Sequence, residues 1–537
     1  MMASHSADYV IIGAGTAGSV LANRLSADPS VSVLLIEAGA RDTHPMIHIP
    51  AGFVRLLDHQ NVTWKYKTKP EAESGGRAIL FPRGRVLGGS SSINGLLYVR
   101  PFEEDMDEWA RLVGDTSWKY KNVLPFYCKS ETWRGGQSPV RGKDGYIQVS
   151  RIQEPPEVCH AAIAAGKEAG LTFVEDPNQA HSASSVWYYQ QTRDGRFRSS
   201  AARAYLYPAR DRKNLTILTE GQVESLLIEG DVCRGVVMRS AAGQKEVLAN
   251  REVILSAGVI GSPQILQLSG IGPSDVMDEL NIPMTLQSEG VGRNFQDHYV
   301  ARLSYRLKDT VTANERSRGV RLLNELLAYA ISGKGILTYS AALVGAFYRT
   351  KYGERPDVQY VIAPGSFQEG RIGQLEKNPG MSLGCWQMRP KSRGRIRIVS
   401  QDPLVAPDIA AGYLSDPEDA KVLVEGLKFG RSLFTNPSLR KYVVEETVPG
   451  IDHTSDRDLL AYVRRNGSTV YHAVGTCAMG TDEMAVVDSE LKVRGIRRLR
   501  VVDASIMPRV TSTNTNATVL MIAEKAASMI LAESDRK

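Results

Sequence analysis

The chain has few cysteines, and they are scattered. Five occur among 537 residues, in an odd number and with no CxxC pair: Cys128, Cys159, Cys233, Cys385 and Cys477. This pattern argues against a disulfide framework and against a structural zinc site. It favours a reducing compartment, and we expect no metal site.

Long apolar runs are also lacking. The nearest approach to one, residues 326–347, is broken by Gly333, Lys334 and Gly335, so no transmembrane segment is predicted. The first 15 residues have no basic segment followed by an apolar core and a cleavage site, so no signal peptide is predicted. We therefore expect a cytoplasmic protein, with peripheral membrane association as an open alternative.

No strong excess of charge is present. Lys and Arg number 65 against 59 Asp and Glu, which gives a net charge of +6 spread along the chain. Two basic clusters, residues 389–397 and 494–500, alternate with apolar residues as the solvated faces of strands do. We therefore expect no nucleic-acid partner. The apolar content of 42% is ordinary for a globular protein, and 537 residues are too many for one compact core.

The first 40 residues carry the clearest structural pattern. An apolar strand leads into a glycine turn, a helix with apolar spacing and a second apolar strand, which is typical of a βαβ unit in a parallel sheet. Gly13, Gly15 and Gly18 form GxGxxG, where glycine allows a tight turn and lets a pyrophosphate approach the backbone. Glu37 ends the second strand, where a carboxylate binds ribose hydroxyls. An acidic residue there disfavours a 2′-phosphate, so FAD or NAD is predicted.

The rest of the chain indicates two kinds of architecture. Consecutive strands are predicted across residues 214–240, and a strand running into a short helix is predicted across 251–272. Between about 300 and 465, helical and strand-like runs are mixed, as in an α+β layer. The last 40 residues return to a strand, a loop and a helix. The pattern predicts a nucleotide-binding domain built from both ends and a middle piece, interrupted by a second domain.

Two further clusters carry potential chemistry. Residues 84–95 contain Gly88 and Gly89, then three serines and Asn94, between apolar flanks. Such a loop is either a flexible surface loop or a packed, donor-rich contact with a large cofactor. His472 stands among small and apolar residues, as buried structural histidines do. About 40 residues later Asn514 and Asn516 precede the final helix, where asparagine is often only an N-cap but can also deliver an amide to a site.

Taken in order, these segments resemble the signature segments of the glucose–methanol–choline (GMC) flavoprotein oxidoreductases. The resemblance covers essentially the whole chain. Within the family, the chain is most similar to the branch of bacterial sorbose dehydrogenase, polyethylene glycol dehydrogenase and choline dehydrogenase. The motifs that carry it are GxGxxG with Glu37, "GRVLGGSSSIN" (84–94), "AGVIGSPQILQLSGIG" (257–272), "GVGRNFQDH" (290–298) and "YHAVGTCAMG…VVDASIMP…NTNAT" (471–518).

The resemblance implies an α/β + α+β fold with a Rossmann-like FAD-binding domain and an inserted substrate domain, an antiparallel sheet flanked by helices. The FAD-binding domain would span residues 1–155, 196–300 and 465–537, and the substrate domain 156–195 and 301–464. FAD is expected to be non-covalent, because Ile93 stands where members with covalently attached flavin have histidine. The implied cofactor contacts are Gly13, Gly15, Thr16, Ala17, Gly18, Glu37, Ala38, Arg85, Gly88, Gly89, Ser90, Asn94, Gly95, Val223, Ala257, Asp503, Ala504, Asn516 and Thr518.

The resemblance further implies that His472 is the catalytic base and that Asn516 occupies the second catalytic position. In the implied reaction His472 accepts the hydroxyl proton of an alcohol, Asn516 hydrogen-bonds the developing alkoxide, and hydride passes to flavin N5. The expected substrate is a primary alcohol, including those of sugars and polyols, and the expected acceptor is oxygen or a quinone- or dye-like compound. The alternatives are a flavin-containing hydroxynitrile lyase on the same fold and a non-catalytic FAD-binding module.

Other candidate residues are given structural roles. His44 and His48 have a metal-like spacing, but Pro45 between them argues against one helix presenting both. Cys159 and Cys477 lie near histidines but have no orienting acid, so no thiol nucleophile is predicted. Residues 188–191 and 321–348 are predicted to contribute to the wall of the substrate pocket.

Overall fold

The structure is a computed structural model that describes residues 5–179, 183–368 and 374–534. Its strands, in chain order, are β1 His5–Ile12, β2 Val33–Ile36, β3 Thr63–Lys67, β4 Leu80–Gly84, β5 Leu97–Tyr98, β6 Glu131–Trp133, β7 Ile147–Arg151, β8 Thr172–Phe173, β9 Ser185–Tyr188, β10 Gln190–Asp194, β11 Phe197–Arg198, β12 Leu215–Leu218, β13 Gln222–Glu229, β14 Val232–Ser240, β15 Gly243–Leu255, β16 Ile271–Gly272, β17 Leu286–Gln287, β18 Tyr299–Leu307, β19 Val344–Tyr348, β20 Val358–Ala363, β21 Gly380–Gln387, β22 Arg395–Arg397, β23 Asp408–Ala410, β24 Val443–Val448, β25 Ser468–Thr469 and β26 Leu499–Val501.

The α-helices, in chain order, are α1 Thr16–Leu25, α2 Pro45–His48, α3 Phe53–Leu56, α4 Glu103–Val113, α5 Tyr120–Ser130, α6 Glu157–Glu168, α7 Tyr207–Ala209, α8 Gly258–Leu268, α9 Ser274–Leu280, α10 Ala313–Arg316, α11 Gly319–Ser332, α12 Pro417–Thr435, α13 Pro437–Arg440, α14 Asp456–Asn466 and α15 Asn516–Ser534.

The first sheet has the order β12-β2-β1-β15-β14-β13, with β26 paired to β15. Strands β12, β2, β1, β15 and β26 run parallel, and β13 and β14 add an antiparallel edge. The four residues of β2 are all buried, as a strand covered on both faces requires. The predicted βαβ unit, the consecutive strands across residues 214–240 and the strand that leads into a helix across 251–272 are confirmed.

The second sheet has the order β24-β18-β21-β20-β19-β9-β8, with β25 paired to β18. All its pairs are antiparallel except β8 with β9. Helix α12 covers one face, and glycines let it approach closely: a Cβ added at Gly426 or Gly430 would stand 3.1 Å from side chains of β20 or β21. The other face of the sheet is turned towards a cavity, described below.

The predicted combination of a parallel sheet with a second, mainly antiparallel sheet is confirmed. Strands of the first sheet come from residues 5–36, 215–255 and 499–501, and strands of the second from residues 172–188, 299–307, 344–387, 443–448 and 468–469. The chain therefore crosses between the two sheets several times, although the domain boundaries themselves remain a prediction. Within the described residues, no helix is both long enough and apolar enough to span a membrane.

Candidate active site

A cavity of about 1000 Å³ lies between the two sheets. It is lined at one end by the first turn of α1 and the carboxyl ends of the parallel strands, and at the other by β18, β20 and β21. The loop 84–97 and the segment 470–473 form its middle. A ligand that reaches from the parallel sheet to the antiparallel sheet would therefore contact most of the sequence motifs at once.

The glycine turn after β1 has the geometry that its sequence predicts. Gly13 has φ +95°, a left-handed conformation that strains other residues. A Cβ at Gly18 would lie 1.9 Å from the carbonyl oxygen of Gly13, so only glycine allows α1 to start this close to the strand. Gly15 differs, because a Cβ there would meet no protein atom closer than Ser256 O at 4.0 Å.

Glu37 is buried at the end of β2 and holds the turn. Its Oε2 accepts the Ala14 N–H at 2.8 Å and its Oε1 accepts the Gly39 N–H at 2.9 Å. Burial raises the pKa of this carboxyl to about 7, against the lowering effect of the two N–H donors. Each carboxylate oxygen has a second lone pair, so the group can still accept a hydrogen bond from a hydroxyl in the cavity.

The donor-rich loop is packed, not flexible. Gly88 N–H donates to Ala14 O at 2.8 Å, and a Cβ at Gly89 would lie 2.7 Å from Gly15 Cα. Arg198, whose role the sequence did not reveal, holds the loop of residues 84–95 in place through hydrogen bonds. Its Nη1 donates to both Asn94 O and Asn94 Oδ1 at 2.7 Å, and its Nε donates to Ile47 O at 2.9 Å. Burial lowers the pKa of Arg198 to about 9.

Most of the predicted cofactor residues line the cavity. They are Gly13, Gly15, Thr16, Ala17, Glu37, Ala38, Gly89, Ser90, Asn94, Gly95, Val223, Ala257, Asp503, Ala504 and Asn516. Four do not. Gly18 and Gly88 act in the packing of the two glycine turns, the Arg85 guanidinium lies 4.4 Å from the centre of the Trp64 ring, and the Thr518 hydroxyl is buried against Tyr127 Oη at 3.0 Å.

Among the described residues, four cavity-lining side chains have buried polar atoms that lack a hydrogen-bond partner: Arg77, Arg83, Gln222 and Trp386. Gln222 leaves its Oε1 unpaired near the start of β13, and Arg83 leaves its Nε and Nη2 unpaired at the end of β4. Unpaired buried polar atoms are rare unless a ligand satisfies them. Together with the glycine cradle, they fit the FAD that the family resemblance implies.

His472 lies in the middle of the cavity, in a chain of hydrogen bonds. His298 Nε2 is 2.9 Å from Met388 O, and a carbonyl only accepts, so this nitrogen carries the proton. His298 Nδ1 therefore accepts from His472 Nδ1 at 3.0 Å, which leaves His472 Nε2 unprotonated. That atom accepts from Asn514 Nδ2 at 3.0 Å. The chain of contacts defines one tautomer of His472, with a basic lone pair on Nε2.

The asparagine beside His472 is Asn514, not Asn516. Asn516 is the first residue of α15, and its Oδ1 accepts from Thr16 Oγ1 at 3.0 Å in the glycine turn. Asn514 lies two residues earlier, before the helix begins, and its Oδ1 accepts from Gln359 Nε2 at 3.3 Å. The two amides thus face opposite ends of the cavity, and it is Asn514, not the Asn516 expected from the sequence to share a site with His472, that contacts His472.

The environment favours the neutral form of both histidines. Burial lowers the pKa of His472 well below its ordinary value, and His298 and Arg83 lower it further. Burial likewise lowers the pKa of His298 to about 4. A protonated imidazole at either position would lack a carboxylate partner, because the nearby Asp297 binds the backbone and hydroxyls instead.

Asp297 positions the segment that carries His472. Its Oδ1 accepts the His472 N–H at 2.8 Å, and its Oδ2 accepts the hydroxyls of Thr469 and Tyr413, each at 2.5 Å. Tyr471 has φ +68°, a strained conformation for a residue with a side chain. Thr469 Oγ1 accepts the Tyr471 N–H at 2.6 Å. Asp297 belongs to the 290–298 motif, but nothing in the sequence assigned it this role.

The residues given structural roles remain outside the chemistry. Cys159 and Cys477 are fully buried thiols whose pKa is raised by burial. His44 accepts the Met46 N–H, and among the described residues no group of three His, Cys, Asp or Glu could hold a metal ion.

The predicted pocket segments contribute little. Residues 188–191 do not line the cavity, and only Ala341 of residues 321–348 does. Helix α11 instead exposes an apolar face, with Val320 at 76% and Ile331 at 78% exposure, and buries Glu325.

Comparison with known proteins matches the chain to GMC oxidoreductase over residues 7–300 and 390–523. The chain is 40% identical to an alcohol dehydrogenase [acceptor] of Pseudomonas putida, over 98% of this chain and 96% of that protein. It is 38% identical to an oxygen-dependent choline dehydrogenase of Proteus mirabilis, over 97% and 95%. Its structure is similar to that of pyridoxine 4-oxidase from Mesorbium loti, with a TM-score of 0.89 and 31% identity over 98% and 99% of the two chains.

Proposed function

Since the chain belongs to the GMC oxidoreductase family, we propose that it oxidises an alcohol to the aldehyde or ketone with His472 as the base. The observation that carries this proposal is the hydrogen-bond chain from Met388 O through His298 to His472, which leaves His472 Nε2 unprotonated in the cavity. The relatives named above support an alcohol as substrate.

FAD, when bound, supplies the two-electron acceptor that takes up the hydride. Gly13, Gly15 and the first turn of α1 would hold its phosphates, and Glu37 its adenosine ribose. The residues around Asn94 and Ala504 would hold its flavin half. Each of these groups lines the same cavity as His472.

The protein's part in the reaction is to move one proton and to hold the oxygen that loses it. His472 Nε2 accepts the hydroxyl proton, which lets the carbinol carbon release its hydride and become a carbonyl carbon. Asn514 Nδ2, now 3.0 Å from that nitrogen, donates a hydrogen bond to the alkoxide oxygen as its charge develops. His298 keeps the His472 ring in the required tautomer by accepting from Nδ1.

Anaerobic mixing of the purified holoenzyme with a panel of primary alcohols tests the proposal. We expect the yellow flavin to bleach and one carbonyl product to form for each flavin reduced. Cleavage of a cyanohydrin without bleaching would instead indicate the lyase alternative. If dithionite bleaches the flavin and no alcohol does, the proposed oxidation is wrong.

We also propose that FAD is bound without a covalent link. Ile93 is 3% exposed and packs in an apolar cluster with Ile47, Leu56, Val62 and Val86, so its position offers no nucleophile. Acid precipitation should release all of the yellow colour into the supernatant. Colour that stays with the protein pellet contradicts this assignment.

Oxygen and a quinone- or dye-like compound are both acceptors compatible with this reaction. Parallel assays that measure peroxide in air and dye reduction under nitrogen distinguish them. A location in the cytoplasm remains a prediction from the sequence.

A further inference from the structure

The substrate end of the cavity is covered by one face of the second sheet. In β18, the side chains of Tyr299, Ala301 and Leu303 belong to the apolar core. The alternate residues Val300, Arg302 and Ser304 line the cavity, because successive side chains of a strand point to opposite faces. Arg302 is therefore flanked, on the face of β18 that lines the cavity, by two uncharged side chains.

Pairing with β21 places Arg302 relative to His472. Val300 pairs with Trp386, whose ring stands edge-on to His472 with the ring centres 5.8 Å apart. Arg302 pairs with Gly384, two residues further along the strand, which is about 7 Å from the first row. Arg302 therefore lines the part of the cavity next to His472, one strand repeat of two residues beyond the Val300–Trp386 pair.

The space in front of Arg302 is kept open by the absence of a side chain opposite. A Cβ added at Gly384 would lie 3.1 Å from Val361 Cγ2 and 3.2 Å from Val300 Cγ2, tighter than ordinary contact. Because Gly384 has no side chain, none from that position covers Arg302 on the cavity face.

Arg302 has no counter-ion among the described residues. Its carbonyl accepts from Tyr462 Oη at 2.6 Å, but no hydrogen bond or ion pair of its guanidinium with a described residue is found. Its positive charge acts on Tyr471, where it opposes the rise in pKa that burial causes. Arg306, the next exposed arginine of the same strand, differs because it forms an ion pair with Glu445 at 2.6 Å.

The other charges that line this end are also positive. Arg465 at the end of α14 is exposed to the cavity. The carboxylates among the described lining residues are Glu37 and Asp503, and both are engaged at the nucleotide end, Asp503 with Gly258 N–H at 2.9 Å. A cationic substrate would meet Arg302 without a compensating carboxylate from the described wall.

We infer that the preferred alcohol carries an anionic group, such as a carboxylate, that pairs with Arg302; this inference rests on the proposed alcohol oxidation. A guanidinium presents two parallel N–H donors that match a carboxylate, and such charge-assisted pairs are strong where water is partly excluded. The hydroxyl then lies at the other end of the substrate, beside His472 and Asn514. A trimethylammonium alcohol is disfavoured by the same charge.

The test compares three six-carbon alcohols with the holoenzyme: hydroxyhexanoate, hexanol and aminohexanol, each with its groups at the chain ends. We expect kcat/KM for hydroxyhexanoate to exceed that for hexanol by about tenfold or more, mostly through KM, with aminohexanol poorest. Arg302→Met should remove the preference, Arg302→Lys should restore part of it, and Arg302→Glu should shift it towards aminohexanol. Arg306→Met, on the same strand, is the matched control and should keep the wild-type ratio.

The two proposals fail in different ways. If hexanol bleaches the flavin but Arg302→Met keeps the wild-type ratio of hydroxyhexanoate to hexanol, the role of Arg302 is wrong and alcohol oxidation stands. If none of the three alcohols bleaches the wild-type flavin, alcohol oxidation fails and the inference fails with it. FAD content and melting temperature of each variant show that the comparison is made on folded holoenzyme.

Discussion

The two ends of the cavity are built by different means. At the nucleotide end, residues 13–39 supply the turn, its glycines and the carboxylate of Glu37, and the contacts are made largely by backbone N–H groups. At the catalytic end, His298, His472 and Asn514 are separated by 174 and 42 residues, and the contacts are made by side chains. The first end is a local property of a short segment, whereas the second exists only when distant segments are packed together.

The largest expected effect concerns the catalytic end. His472→Ala should slow anaerobic flavin reduction by about 10²–10⁴-fold, because the proton acceptor is lost, while FAD stays bound. Stopped-flow reduction with a saturating alcohol measures this. His160→Ala is the control, since His160 is exposed and contacts Tyr188 Oη outside the cavity. Reduction by His472→Ala at the wild-type rate would show that the base lies elsewhere.

A substitution at the nucleotide end should separate cofactor binding from folding. Gly15 has φ −70°, and a Cβ there would meet no protein atom closer than Ser256 O at 4.0 Å, so Gly15→Ala should leave the flavin-free protein stable. The added methyl group should instead block the close approach of a phosphate and weaken FAD binding by at least about tenfold. Flavin titration and melting temperature measure the two effects.

Gly18→Ala provides the contrast, because its Cβ would clash with Gly13 O and should destabilise the fold itself. Full FAD content in Gly15→Ala contradicts the assignment.

Substitutions of Asn514 and Asn516 should affect opposite ends of the cavity. Asn514→Ala removes the donor to the alkoxide and should lower the rate of flavin reduction about tenfold with FAD retained. Asn516→Ala removes the contact with Thr16 and should chiefly lower FAD content. The ratio of reduction rate to bound flavin distinguishes them. A larger rate effect for Asn516→Ala would restore the assignment made from the sequence.

The smallest expected effect is on pH dependence. Burial lowers the pKa of His472 well below its ordinary value, which favours an unprotonated Nε2 at neutral pH. A base with a lowered pKa loses activity only as the pH falls towards that pKa, so kcat/KM should be flat from about pH 8 down to 6.5 and decrease in more acidic solution. A kcat/KM that falls to half its maximum near pH 7 would show that a neighbouring group stabilises the charged form of His472.

Sequence patterns predicted the geometry of the glycine turn and most of the residues that line the nucleotide end of the cavity. Gly13, Gly15, Gly18 and Glu37 lie where the βαβ pattern requires, because glycine conformation and strand alternation are short-range properties. The docking of Arg198 under the loop of residues 84–95 was not predicted. Its contacts are with backbone carbonyls, which any sequence supplies, so no residue pattern marks them.

The catalytic end was predicted only in part. His472 was identified, but the amide was assigned to Asn516 because spacing alone does not show which of two nearby asparagines begins the helix. The first turn of α15 starts at Asn516 and directs its side chain towards Thr16, which leaves Asn514 to face His472. Asp297 and His298 were part of a motif without a role, since the residues that they contact lie 90 to 175 residues away.

The sequence by itself determined the parallel sheet, the glycine turn and the presence of a histidine and asparagines near the C-terminus, because these follow from local periodicity and residue type. Only the tertiary structure decided which tautomer His472 adopts, which asparagine contacts it, and that Arg302 lines the cavity without an ion-pair partner among the described residues. Those properties depend on pairs of side chains from separate strands and loops. Hydrogen bonding and charge pairing act over a few ångströms, so they are defined only once packing has brought the segments together.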